Sequence, residues 1–165
     1  MHKQNFAEAV DDILKNDSRY DRDSYYFVRE GLDFTLKILK KQTQTNPVHR
    51  HVSGQELLEG LRRFALDEFG PMAKTVLDYW GVRKCDDFGE IVFNLVERNV
   101  LGKTDQDSRE DFRGGFDFEE AFVKPYLPAP RPRHRQAHVR SGVHADHGRE
   151  KARSSGSEKL NSGSN

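Results

Sequence analysis

Apolar positions recur at helical spacing through most of the first 127 residues, and the cleanest run lies between Ser53 and Leu101. Leu57, Leu58, Leu61, Phe64, Ala65 and Phe69 make one stripe of a helix. Ser53 followed by Glu56 predicts its start, because each side chain can accept the other residue's backbone N–H. Gly70 predicts a left-handed end, and Pro71 suits the first turn of the next helix, where a missing N–H is no loss. That second helix runs to about Trp80, with Met72, Ala73, Val76, Leu77 and Trp80 inward, until Gly81 stops it. A third opens at Cys85 to Asp87, whose carboxylates favour the positive end of the helix dipole. It buries Phe88, Ile91, Val92, Leu95 and Val96 and ends at Gly102.

Two further helices precede these. Residues 4–15 place Phe6, Ala9, Val10, Ile13 and Leu14 on one face, and Asn16-Asp17-Ser18 closes the run. Ser24 to Lys41 follows, capped by Asp21 or Asp23. Tyr25, Val28, Leu32 and Leu39 form its stripe, while Phe27, Phe34 and Ile38 lie off it. A helix apolar on more than one face belongs at the centre of its domain. Gly31 inside it costs about 1 kcal/mol relative to Ala, which predicts a close helix–helix approach there. Gln42 to Val52 is aperiodic, and Asn46-Pro47 marks a turn.

Beyond Gly102 the pattern changes. Residues 103–111 read as a solvated loop or a helical turn. Phe112, Phe116 and Phe118 then flank Gly114-Gly115. A hairpin with a three-residue loop, Arg113 to Gly115, sets Phe112 opposite Phe116. The other reading has Asp117 and Glu120 cap a short helix that covers Ala121 and Phe122 and ends at Pro125. The prediction is one mainly α domain of five helices over residues 1–128. Its last three helices followed by a Gly-bearing hairpin match the order of a winged helix-turn-helix.

From Pro128 onward Arg, His, Ser and Gly dominate, with too little apolar surface to offset ordering entropy. Residues 129–165 are therefore expected to be a disordered basic tail. Charge sharpens the division: the 165-residue total of +0 conceals 19 Lys and Arg against 24 Asp and Glu in residues 1–128, and 8 against 3 in residues 129–165. The acidic body argues against a DNA reader. Its candidate recognition helix offers Asp86, Asp87, Glu90 and Glu97 against Arg98 and Asn94, where base and phosphate contacts call for Lys, Arg, Asn or Gln. Arg131, Arg133, Arg135 and Arg140 remain as candidate polyanion contacts, weak and non-specific. Four of the seven histidines, His134, His138, His144 and His147, share that tail and would add positive charge as pH falls toward about 6.

Catalytic chemistry finds little support. Cys85 lies near a helix start beside Arg83 and Lys84, a setting that lowers a thiol pKa, yet Asp86 and Asp87 adjoin it and no histidine is near in sequence. His49 and His51 project to one side of an extended chain but lack the further ligands a metal requires. Asp105-Gln106-Asp107 begins like a calcium loop and then fails at Arg109, Glu110 and Phe116. No catalytic, cofactor or metal residue is assigned. The single cysteine fits a reducing compartment. No apolar signal segment is visible, and no run approaches the roughly 18 apolar residues of a membrane span. A cytoplasmic protein with no membrane partner is expected.

The stretches FAEAVDDIL, RYDRDSYYFVREGLDFTLK, HVSGQELLEGLRRFALDEFGPMAKTVLDYWGV, DFGEIVFNLVERNVLGKTDQDSREDF and GFDFEEAF resemble an uncharacterised bacterial family found largely in planctomycetes and verrucomicrobia. The resemblance spans roughly residues 6–127 and implies a bacterial cytosolic setting, with no activity, cofactor or site residue to carry over. The function expected is a non-enzymatic protein-interaction or regulatory module, with the acidic residues Asp86, Asp87, Glu90 and Glu97 as candidate partner surface. The alternative is a winged-helix-like nucleic-acid binder whose tail touches phosphates.

Overall fold

The computed structural model describes residues 5–43 and 51–131. Five principal helices appear in chain order: α1 (Phe6–Asn16), α2 (Arg22–Thr43), α3 (Gly54–Phe69), α4 (Ala73–Tyr79) and α5 (Cys85–Glu97). A short α6 (Phe118–Phe122) follows. The unit Met1–Ala129 holds the whole of the buried core described here.

The helix starts follow from side-chain caps. Ser53 and Glu56 form the expected reciprocal pair at α3, with Ser53 Oγ accepting from Glu56 N at 3.2 Å and Glu56 accepting from Ser53 N at 3.0 Å. Asn5 and Glu8 build the same box at α1. Asp21 accepts from the Asp23 N–H at 2.9 Å ahead of α2. Gly81 ends α4 with φ +84°, and Val82 N donates back to Leu77 O at 2.9 Å. A side chain at Gly81 would also run into the Arg19 carbonyl.

α2 occupies the centre, packed against α1, α3 and α5. Its two apolar faces serve different neighbours, and Tyr25, Phe27 and Val28 are all buried. Gly31 marks the anticipated close approach: a Cβ there would overlap Leu61 Cδ2 on α3. The reciprocal position is Gly60, whose absent side chain leaves room for the buried Thr35. Thr35 satisfies its own hydroxyl by donating to Gly31 O at 2.6 Å. Two glycines and one threonine thus set the α2–α3 spacing.

Three expectations are corrected. α5 ends at Glu97 rather than at Gly102. Asn99 takes the left-handed conformation (φ +59°), and Val100 N donates to Leu95 O at 3.2 Å, closing the helix end as glycine usually does. Met72 is exposed, because Gly70–Met72 is a 3-10 turn whose tighter winding rotates Met72 off the inward stripe of α4.

The third correction concerns residues 112–118, which form no hairpin. Among the described residues there is no strand, so the winged-helix comparison loses its wing. Arg109–Phe112 is a 3-10 turn, and Phe112 fills a slot floored by Gly54 and Gly89. A Cβ on Gly89 would stand 2.9 Å from Phe112 Cβ. Gly115 lies against Cys85 and Leu58. Phe116 stacks on Phe118, which in turn meets Phe88 and Phe122. Each aromatic side chain buries its face against a helix or a ring, which leaves no cross-strand pair to hold a hairpin. Asp117 caps α6 instead, accepting from Glu120 N at 3.0 Å, and Ala121 and Phe122 are covered as the helical reading required.

The turn expected at Asn46-Pro47, the residue His49 and the disorder expected after Arg131 lie outside the described residues.

Candidate functional site

The acidic flank of α5 is largely engaged by its own chain. Asp87 accepts from the backbone N–H groups of Arg83 and Lys84 at 2.9 and 3.1 Å and from Tyr20 Oη at 2.9 Å. From the third position of α5 its carboxylate closes the start of that helix, and it also ties α5 to the α1–α2 turn. Burial, together with this bond to a carboxylate, pushes the Tyr20 phenol well above its usual pKa. Glu90 meets Arg19 at 3.3 Å and Arg109 at 3.4 Å. Glu97 meets Arg109 at 3.0 Å, and Asp86 meets Lys84 at 3.5 Å. Arg109 also lies over the Phe93 ring, 4.9 Å from its centroid. A basic partner docking here would have to displace Arg19 and Arg109 first. Of the four arginines expected to touch polyanions, Arg131 is exposed, and Arg133, Arg135 and Arg140 lie outside the described residues.

Arg19 also holds Asp17, through Nε at 2.9 Å and a terminal nitrogen at 2.7 Å. These bonds, joined by one from Asn94 on α5, hold the Asp17 carboxyl far below the usual carboxylate range against the opposing effect of burial. Asp17 therefore locks the α1–α2 turn to α5.

Cys85 is buried, and its thiol donates to Phe116 O at 3.3 Å. Burial pushes its pKa up to about 11, and Asp86 and Asp87 act in the same direction. The neighbouring Arg83 and Lys84 do not produce an activated thiolate. His51 pairs with Asp107 at 2.7 Å. Burial opposes ionisation of Asp107, but bonds from the Thr104 amide (2.6 Å), the Thr104 hydroxyl (3.0 Å) and His51 outweigh it and lower its pKa. His51 and Asp107 rim a cleft of about 170 Å³ walled by Leu36, Leu57, Val92, Phe93 and Val96. Among the described residues, no group of three or more His, Cys, Asp or Glu is placed to hold a metal ion. Among the same residues, no helix is long and apolar enough to cross a membrane.

The corner where α3 turns into α4 is different. Tyr79 is 82% exposed and Met72 56% exposed. Tyr126 and Leu127 are exposed at 45% and 59%. Tyr126 comes to this corner, since its hydroxyl stands 3.8 Å from where a Cβ of Gly70 would be, and α6 packs against α4 just before it. A groove of about 230 Å³ lies between α2, α3 and the end of α4. Its aromatic wall is a cluster: Phe27 stacks on Phe64 at 5.1 Å, Trp80 meets Phe27 at 5.5 Å, and Phe69 meets Trp80 edge-on at 5.6 Å. Asp23, Glu30 and Glu68 line the same groove and are exposed.

Sequence periodicity did not reveal this corner. It places Met72 inward, where it is exposed, and Trp80 inward, where it packs on the core with one side on the groove, and the three carboxylates come from two helices with no local motif. The usable signal in the sequence is Tyr79, off the inward stripe of α4, beside the only tryptophan of the chain.

No protein-family model matches the chain, and no curated protein or solved structure matches it either.

Proposed function

We propose that the chain is a protein-interaction module that binds its partner at the α3–α4 corner. The observation that supports this is the exposure of Met72 just before α4, of Tyr79 at the end of α4 and of Tyr126 beside Gly70, with Leu127 next in sequence and Tyr79 almost fully in solvent. Large apolar side chains grouped on a surface mark contact sites, and Tyr and Met are enriched in the buried centres of protein interfaces. Titratable residues singled out in the sequence are occupied with structural work: Asp87 closes the first turn of α5, Glu90 and Glu97 pair with Arg109, and Cys85 is a buried neutral thiol.

The experiment is affinity capture on the full chain, with and without nuclease, repeated with Met72→Ser and Tyr79→Ser combined. Both side chains are exposed, so the substitutions spare the core. Recovery of a protein in stoichiometric amount, insensitive to nuclease and lost in the double variant, supports the module. Recovery that nuclease abolishes transfers the function to nucleic acid and to the arginines from Arg131 onward.

A further inference from the structure

We propose that the groove between α2, α3 and the end of α4 receives a cationic side chain, arginine or lysine, from an extended basic segment of the partner; this deepens the interaction reading and rests on it. The groove offers the two features such a group requires. Phe64, Phe69 and Trp80, each partly exposed, supply an aromatic wall over the buried Phe27, and a cation at such rings is attracted by their quadrupoles. Asp23, Glu30 and Glu68 supply negative charge at the rim.

Those carboxylates differ from the ones on α5. Asp86, Asp87, Glu90 and Glu97 are each matched by a group of the same chain. Among the described residues, the side chains of Asp23, Glu30 and Glu68 make no ion pair, and no arginine or lysine lines the groove. Three uncompensated negative charges around an aromatic wall favour a cation and repel an acidic or phosphorylated segment. The size is also informative. A volume of about 230 Å³ falls short of the roughly 300 Å³ at which pockets for drug-sized ligands begin, and suits one long side chain. An arginine would lay its planar guanidinium on the rings and direct its N–H groups to the carboxylates, using both features at once.

The chain has a built-in reporter, because Trp80 is its single tryptophan and lines the groove. Fluorescein-labelled hexa-arginine is titrated at low salt, with anisotropy giving Kd and Trp80 emission giving location. The buried core is complete by Phe122, so a chain ending at Leu127 is measured beside the full chain to remove competition from its own later arginines. Two double variants carry equal charge changes: Glu30→Gln with Glu68→Gln in the groove, and Asp105→Asn with Glu119→Gln at exposed positions outside it. Far-UV circular dichroism confirms that both remain folded.

The expected result is that hexa-arginine changes Trp80 emission, that the groove variant weakens binding about fivefold or more, and that the control variant stays within about twofold. Hexa-glutamate should leave the emission unchanged. Equal losses in the two variants would reduce the binding to bulk charge and overturn the proposal. So would saturation of the peptide without any change in Trp80 emission, or no binding to either chain. Because this readout is independent of Met72 and Tyr79, failure here is distinguishable from failure of the interaction module itself.

Discussion

Replacing Gly60 by alanine tests the closest helix contact in the fold. A Cβ at position 60 would stand 2.7 Å from Thr35 Cβ and 2.9 Å from Thr35 Cγ2, and closer still to Oγ1. Turning Thr35 about its side-chain bond moves Oγ1 and Cγ2 but leaves Cβ in place. Carbon atoms pack at about 3.5–4.0 Å, so α2 and α3 must part by roughly 1 Å. Overpacking of this kind costs typically 1–3 kcal/mol, and a backbone-fixed clash belongs near the upper end, about 3 kcal/mol. Alanine returns about 1 kcal/mol of helix propensity over glycine. The net expectation is a loss of about 2 kcal/mol. With a urea slope of about 2 kcal/mol/M, that lowers the midpoint by about 1 M. Gly31→Ala is the internal comparison. Its new methyl meets mainly Leu61 Cδ2, the far end of a flexible side chain, while Phe64 Cδ1 is 3.4 Å away. The same propensity gain then roughly offsets the strain, and stability stays within about 1 kcal/mol of the parent. Urea unfolding followed by circular dichroism and by Trp80 emission measures both. A Gly60→Ala midpoint at or above the parent's, or equal losses for the two variants, would refute the helix contact as described.

Three further outcomes follow from named groups. Ser53→Ala removes one half of the α3 capping box and should cost about 1 kcal/mol in the same urea assay, whereas Ser53→Asp should retain most of it. Acid should erode stability through carboxylates whose folded pKa is depressed: hydrogen bonds from Arg62 and then Arg63 bring Glu59 from 4.5 to about 2 against the effect of burial, and Asp17 is lowered by Arg19. Their contribution is full above pH 5 and is lost as pH falls through 4.5 toward 2, so a urea midpoint that is flat over that range would contradict the ion pairs. Cys85, at a pKa of about 11, holds about one thiolate per thousand at pH 8, and a disulfide reagent should modify it slowly in the native protein and rapidly in urea.

The helices were legible because their signals are local. Ser53 with Glu56, Gly70 and Gly81 each act within a few residues, and each ends or starts a helix in its expected place, although Gly70 has φ +51° with ψ −126° rather than the left-handed pair, and Pro71 opens a 3-10 turn ahead of α4. Gly31 foretold a close approach, since a helix-interior glycine needs a tertiary reason. Asn99 was overlooked as a helix end because Gly102 looked the stronger stop, although asparagine also tolerates the left-handed conformation. The segment 112–118 misled for a different reason. Alternating Phe residues around two glycines suit a strand, and only the slots at Gly54 and Gly89, some 20–60 positions earlier, show that Phe112 is wanted by helices instead. The groove at Trp80 shares that difficulty: its rings come from α2, α3 and the end of α4, and no window of sequence contains them together.

The central claim is that the α3–α4 corner meets a protein, and a photo-crosslinking residue in place of Tyr79 tests it most directly. The full chain carries it in cells that naturally make the protein, with a second version labelled at the exposed Lys40 on α2 for comparison. The account predicts one discrete, nuclease-resistant protein adduct from position 79 after irradiation and none from position 40. An unmodified chain at position 79, an adduct digested by nuclease, or the same adducts from both positions would contradict it.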